Sequence, residues 1–256
     1  MPDVLDAIVD HAQNFGYHPR SSAQSDMQSR YIVADLLNRC PKLQDRALQG
    51  NVVVRFTHHQ QVGYEDWKID IAIGTPAYPT PPHAALISEE TPVLIQIAIE
   101  LKSVWTEHNK AKRNRLRDFA AFHGHAHRYD NRVVAGAFLA VNASDAFFSP
   151  LNAGRPQPIT VHGLGTGSGL AAAKGTIDLF RSIHLRNSAI DPPGLEALGV
   201  VVVKHDNFNA LPPSLAHLAQ HESSIGIRNQ PAPRIGDPLH YETFLQRICT
   251  QYSSRY

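Results

Sequence analysis

The sequence predicts an α/β fold, a central mixed sheet flanked by helices. Three observations predict it. Apolar stretches suited to strands lie at residues 51–57, 67–74, 93–102 and 132–141. A stretch with helical potential, 109–128, separates the last two. Two helix-periodic stretches precede all of them. Small separations favour antiparallel pairing of the early strands, and a helix between two strands favours a parallel crossover. A chain of 256 residues suits one domain with a sizeable core.

The elements follow in chain order. Leu5, Ile8, Val9, Ala12 and Phe15 recur at helical spacing, and Gly16 follows as a stop. A second helix is expected from near Ser25, with Ser25 and Gln28 as a capping box and Ile32, Val33, Leu36 and Leu37 as its buried stripe. Val52, Val53, Val54 and Phe56 make 51–57 a strand. In 67–74, Trp67, Ile69, Ile71 and Ile73 are expected on one face, with Lys68, Asp70 and Ala72 on the other. Pro76, Pro79, Pro81, Pro82 and Pro92 rule out a long regular element over 75–92. In 93–102, Val93, Ile95, Ile97, Ile99 and Leu101 are expected on one face, opposite Leu94, Gln96, Ala98, Glu100 and Lys102. Leu116, Phe119, Ala120 and His123 form the inner stripe expected of the following helix. Further on, 149–169 reads as loop, 199–204 as a buried strand, and 211–220 and 241–251 as helices, with a linker at Pro231, Pro233 and Pro238. No internal repeat is visible.

Lys and Arg number 24 against 23 Asp and Glu, a net charge of +1, so a polyanion partner must be met by local charge segregation. Cys40 and Cys249, far apart in sequence, suggest neither a disulfide framework nor a cysteine zinc site, and fit a reducing cytoplasm. No signal peptide and no membrane span is expected.

The chemistry centres on three residues. Asp70 and Glu100 are expected to point away from the apolar sides of their strands, and Lys102, two residues on, shares the face of Glu100. Two adjacent carboxylates repel. A divalent cation removes that repulsion, and hard oxygen donors suit Mg²⁺. A lysine beside such a site can orient or deprotonate a water and offset charge building on a phosphorane.

Ile69-Asp70 followed by Ile99-Glu100-Leu101-Lys102 resembles the D…ExK signature of the PD-(D/E)xK nuclease superfamily, with Ile in place of the frequent Pro before the Asp. The resemblance covers about residues 25–142. It implies a restriction-endonuclease-like core of strand–strand–strand–helix–strand. It implies Asp70 and Glu100 as Mg²⁺ ligands, the Leu101 carbonyl as a further ligand, and Lys102 activating water. It also implies a DNA endonuclease of the restriction or phage-defence type, commonly a homodimer, with residues 143–256 serving recognition or dimerisation. The other readings are an effector nuclease switched on by a small ligand and a nucleic-acid-binding module without turnover.

Residues 108–117 hold five cations, Lys110, Lys112, Arg113, Arg115 and Arg117, and no acid. Their place just past Lys102 makes them candidate DNA contacts. Thr106 and His108 are nearby without a clear role. His123, His125 and His127 lack the other ligands of a known zinc pattern. Gly163, Gly165, Gly167 and Gly169 fit neither dinucleotide nor P-loop spacing. Gln28 and Asp35 are expected at surface positions flanking the core.

Overall fold

The computed structural model describes residues 3–18, 21–149, 160–163, 167–210 and 224–256. In chain order the helices are α1 (Val4–Phe15), α2 (Ala23–Arg39), α3 (Pro41–Leu48), α4 (His108–Tyr129), α5 (Ser168–Arg181) and α6 (Tyr241–Arg255). The strands are β1 (Val53–Val62), β2 (Glu65–Thr75), β3 (Ser88–Glu89), β4 (Leu94–Val104), β5 (Val134–Asn142), β6 (Ala146–Ser149), β7 (Thr160–Gly163), β8 (Ala197–Lys204) and β9 (Ile225–Ile227). Seven strands form one mixed sheet in the order β3-β1-β2-β4-β5-β8-β9, and β6 and β7 pair separately. The early pairs β1/β2 and β2/β4 are antiparallel. The pairs β4/β5 and β5/β8 are parallel, joined through α4 and α5. No helix among the described residues is long and apolar enough to cross a membrane.

Helices cover both faces. Ile8, Leu36, Leu43 and Phe244, from α1, α2, α3 and α6, pack with Ile73, Ile99 and Phe138 in one core. Phe119, Phe122 and Ala126 of α4 and Ile177 and Phe180 of α5 pack with Ala98, Leu139 and Val202 in the other. Burial on both faces explains why β5 and β8 read as continuous apolar runs instead of alternating.

Several expectations need correction. The second helix starts at Ala23, so Ser25 lies inside it and donates its hydroxyl to the Ser22 carbonyl instead of capping. Helix α3 follows at once; Pro41 stands at its first position, where a missing N–H costs nothing. Strand β7 lies within the stretch read as loop, and α5 begins at its end and runs on through residues to which no element was assigned. On α4, Ala120 is exposed, and Phe122 and Ala126 take the inner positions. The expected helix at 211–220 lies outside the described residues, as do 150–159 and 164–166 of the expected loop. Cys40, between α2 and α3, and Cys249 of α6 are joined by a disulfide, with Cα atoms 5.3 Å apart. Sequence separation hid the pairing, because α6 returns to pack against α2 and α3. Gln28 is buried, and Asp35 accepts a 2.7 Å hydrogen bond from Tyr241.

Two irregularities change which way side chains face. The β1/β2 ladder pairs Phe56 with Ile71 and His58 with Ile69, omitting Thr57 and Asp70. Thr57 has φ 51°, a left-handed conformation that β-branched residues rarely adopt. On one side of this point Trp67 and Ile69 pack against the α4 layer; on the other, Ile71 and Ile73 pack against the α2–α6 layer. The four residues therefore do not share a face. In the β2/β4 ladder Ile73 pairs with Ile97 but Gly74 with Ile95, leaving Gln96 as a bulge residue. A Cβ at Gly74 would lie 1.9 Å from the Leu94 carbonyl oxygen, so the bulge needs glycine there. Ile95 consequently joins the α4 side while Ile97, Ile99 and Leu101 face the other.

Candidate active site

Strand β4 is the middle strand of the seven, so Glu100 and Lys102 do not belong to an edge. The β2/β4 ladder pairs Ala72 with Ala98 and Ile71 with Ile99, then stops. Continued by one residue, the same register sets Asp70 opposite Glu100. Here Asp70 replaces the ladder: its Oδ2 accepts the Leu101 backbone N–H at 2.7 Å. Glu100 and Lys102 alternate in step with Ala98 and Val104, which pack in the α4-side core, so both point toward α4. The Lys102 ammonium is ion-paired with Glu100 Oε1. Glu100 is 9 % exposed and Lys102 half-buried.

Burial pushes the Lys102 amine below the usual lysine range, helped by Arg115 and Lys68, while Asp70 and Asp118 oppose the shift. Asp118, on α4, also binds Arg115 at 2.6 Å. Nothing in the sequence marked Asp118 for the site; its only trace was the i,i+3 spacing from Arg115.

The donor set suits a hard cation. Asp70 gives one oxygen to Leu101 and Glu100 gives one to Lys102, so each carboxylate keeps its second oxygen. In an extended strand a residue's N–H and C=O leave on the same side. The Leu101 carbonyl therefore points toward the opening between β2 and β4, beside Asp70. All three donors are oxygens, as Mg²⁺ prefers.

The basic stretch divides. Lys110 and Arg115 line a cavity of about 220 Å³ beside the triad, together with Ser103, Trp105 and Tyr17. Arg113 and Arg117 are exposed on α4. Lys112 instead donates to the Gly175 carbonyl of α5 at 3.2 Å, so it ties two helices together. Tyr17 comes from the segment after α1, and no motif linked it to β4. Larger hollows lie elsewhere, about 580 Å³ beside α1 and residues 227–242 and about 640 Å³ around residues 80–90, and none of the three cavities is lined by Asp70, Glu100 or Lys102.

The histidines serve packing. His108 is buried against Thr176 of α5, and His127 hydrogen-bonds the Gly194 carbonyl at 2.7 Å. Burial pushes each of them down to about 4. His125 lies against the Ala121 carbonyl and Glu65, and His123 rests on His127. Compared with protein-family models, curated proteins and solved structures, the chain matches none.

Proposed function

We propose that the chain is a Mg²⁺-dependent phosphodiesterase, a DNA endonuclease of the PD-(D/E)xK kind. One observation carries this reading. Where the β2/β4 ladder ends, Asp70 stands in register opposite Glu100, and Lys102 is bonded to Glu100 on the same face. Two carboxylates at one spot repel a phosphodiester unless a cation sits with them.

Asp70, Glu100 and the Leu101 carbonyl would hold the ion. When bound, Mg²⁺ supplies Lewis acidity toward a phosphoryl oxygen and favours ionisation of water. Lys102 orients the attacking water and offsets the charge that gathers on the phosphorane. Its half-buried position strengthens both effects, because less solvent screens the ammonium. Asp70 also fixes the Leu101 amide and with it the local course of β4. Exposed Arg113 and Arg117 supply phosphate contacts that position the duplex without reading its sequence.

A restriction or phage-defence role and a homodimer belong to the same proposal, since a two-fold pair sets two sites on opposite strands. The test is digestion of supercoiled, linear and single-stranded DNA, and of RNA, with and without Mg²⁺, alongside Asp70→Asn. Mg²⁺-dependent cleavage of DNA that Asp70→Asn lacks is the expected result. Absence of such cleavage, or equal cleavage by the variant, overturns the reading.

A further inference from the structure

We infer that the cavity beside the triad is a phosphate subsite, holding a phosphate of the substrate strand next to the scissile one. That the phosphate belongs to a nucleic acid rests on the proposed function; that the cavity takes phosphate does not.

The cavity meets the chemistry through α4: Ser103 alternates with Lys102 and faces the other side of β4, but Arg115, bound to Asp118, is near enough to act electrostatically on both Lys102 and Tyr17. Its lining is rich in donors. Trp105 is 6 % exposed, and its indole N–H has no hydrogen-bond partner among the described residues. Arg115 gives Nη1 to Asp118, while its buried Nε–H has no partner among them either. Both nitrogens are closed to solvent, so a ligand in the cavity is met instead by the hydroxyl, amide and charged groups of its lining. The hydroxyls of Tyr17 and Ser103 lie 3.3 Å apart. One proton serves that bond, which leaves the other free to donate outward. Lys110 and Asn114 are exposed at the rim and add a full positive charge and an amide.

Against these stands one carboxylate, that of exposed Glu107. A tetrahedral oxyanion offers acceptors in several directions at once, matching donors that come from β4, α4 and the segment after α1. About 220 Å³ gives room for a phosphate with a few waters.

The test needs neither metal nor turnover. Thermal unfolding of the whole protein is followed against inorganic phosphate, at ionic strength held constant with sodium chloride. Wild type should be stabilised saturably. Arg115→Gln should weaken the apparent affinity by about tenfold, whereas Trp105→Phe, which keeps a ring and loses an N–H closed off from the cavity, should not. Lys110→Gln changes an exposed side chain that the fold does not need, and it should weaken affinity several-fold. Arg234→Gln, exposed and remote from the cavity, should not. No saturable stabilisation, or equal stabilisation in all variants, overturns the inference.

Oligonucleotide arms then separate the phosphate's source. Binding of Lys110→Gln to 5′-phosphorylated strands, 5′-hydroxyl strands and a closed single-stranded circle is compared with wild type. A loss confined to the phosphorylated ends assigns the cavity a terminal monoester. A loss on all three assigns it an internal diester, and a loss on none overturns a role in strand binding. Phosphate binding without any nuclease activity would overturn the proposed function and leave the subsite standing.

Discussion

Two substitutions separate the structural part of Asp70 from its proposed catalytic part. Its carboxylate is a candidate metal ligand, and its Oδ2 also accepts the Leu101 N–H at 2.7 Å. Leu101 is 6 % exposed, so that amide has little access to solvent. Asp70→Ala leaves the donor buried without an acceptor, which costs about 2–3 kcal/mol for a bond to a charged group. Asp70→Asn keeps a carbonyl oxygen in place and loses only the charge-assisted share, about 1 kcal/mol. It also removes the repulsion between Asp70 and Glu100 while the Glu100–Lys102 pair stays intact. Without Mg²⁺, Asp70→Asn should thus fall within about 1 kcal/mol of wild type, and Asp70→Ala should be about 2 kcal/mol less stable. Both should lose cleavage by at least about 100-fold, more than is lost when a group merely supporting a ligand is removed. Urea unfolding without metal and plasmid nicking with Mg²⁺ read the two effects separately. Equal stability of the two variants would refute the structural half of the argument, and wild-type cleavage by Asp70→Asn would refute the catalytic half.

Lys102→Ala should lower kcat far more than it raises KM, because its amine acts on groups present only along the reaction path. A raised KM with normal kcat would make it a phosphate ligand alone. Neutralising Arg113 and Arg117 should make the salt dependence of DNA binding shallower by about 0.9 for each phosphate that is no longer neutralised. Lys112→Gln should leave the slope unchanged, since that ammonium is held by Gly175; a changed slope would return it to the DNA face. Stability should fall as pH drops from about 6.5 toward 4 and level off below, because the unfolded chain takes up protons that buried His108 and His127 refuse. Burial is the main cause for both; Lys112 pushes His108 the same way, as Arg186, His123 and Arg255 do His127, while the backbone bonds of Asn142 and Gly194 oppose. Each histidine contributes at most about 3 kcal/mol, so His108→Gln should flatten the decline, and an unchanged pH profile of urea midpoints would count against its burial as neutral imidazole. Cys249→Ser should cost up to about 5 kcal/mol by releasing a closed loop spanning 209 residues. Thiol titration of unfolded, unreduced wild-type protein should detect no free cysteine; two free thiols would refute the pairing.

Strand and helix identities were legible where one period dominates. Leu5, Ile8, Val9, Ala12 and Phe15 recur at helical spacing before a glycine with φ 66°, and the helix found there runs from Val4 to Phe15. The pairing senses of β1, β2, β4 and β5 followed from what joins them. Facing was less legible. A sheet covered on both sides asks for apolar residues on both faces, so the pattern of β2 carries no mark of a strand that changes sides. Helix α3 is short and separated from α2 by Cys40 alone, and the apolar spacing of α5 was masked by surrounding glycines. The joining of Cys40 to Cys249 depends on where α6 packs, which no local pattern encodes.

The three residues chosen from sequence do converge, but not for the reason the sequence offered. Simple alternation put Asp70 opposite the apolar face of a regular strand. In the structure Asp70 sits at the point where β2 changes sides, across from Thr57 at φ 51°, and where its pairing with β4 ends. These features belong together. A regular ladder would engage Leu101 through the backbone of β2 and keep the two strands parallel to one plane. Because the ladder stops, the Leu101 amide needs another acceptor, and the Asp70 carboxylate reaches along the sheet to provide it. The same break leaves β4 without a β2 backbone partner beyond Ile99. Strain at Thr57, of the order of 1–2 kcal/mol for a non-glycine residue in that region, is thus coupled to the geometry that gathers three oxygen donors. A sequence motif marks the residues proposed to carry the chemistry; the irregular backbone at positions 57 and 70 is what sets the carboxylate of one strand against the backbone of the next.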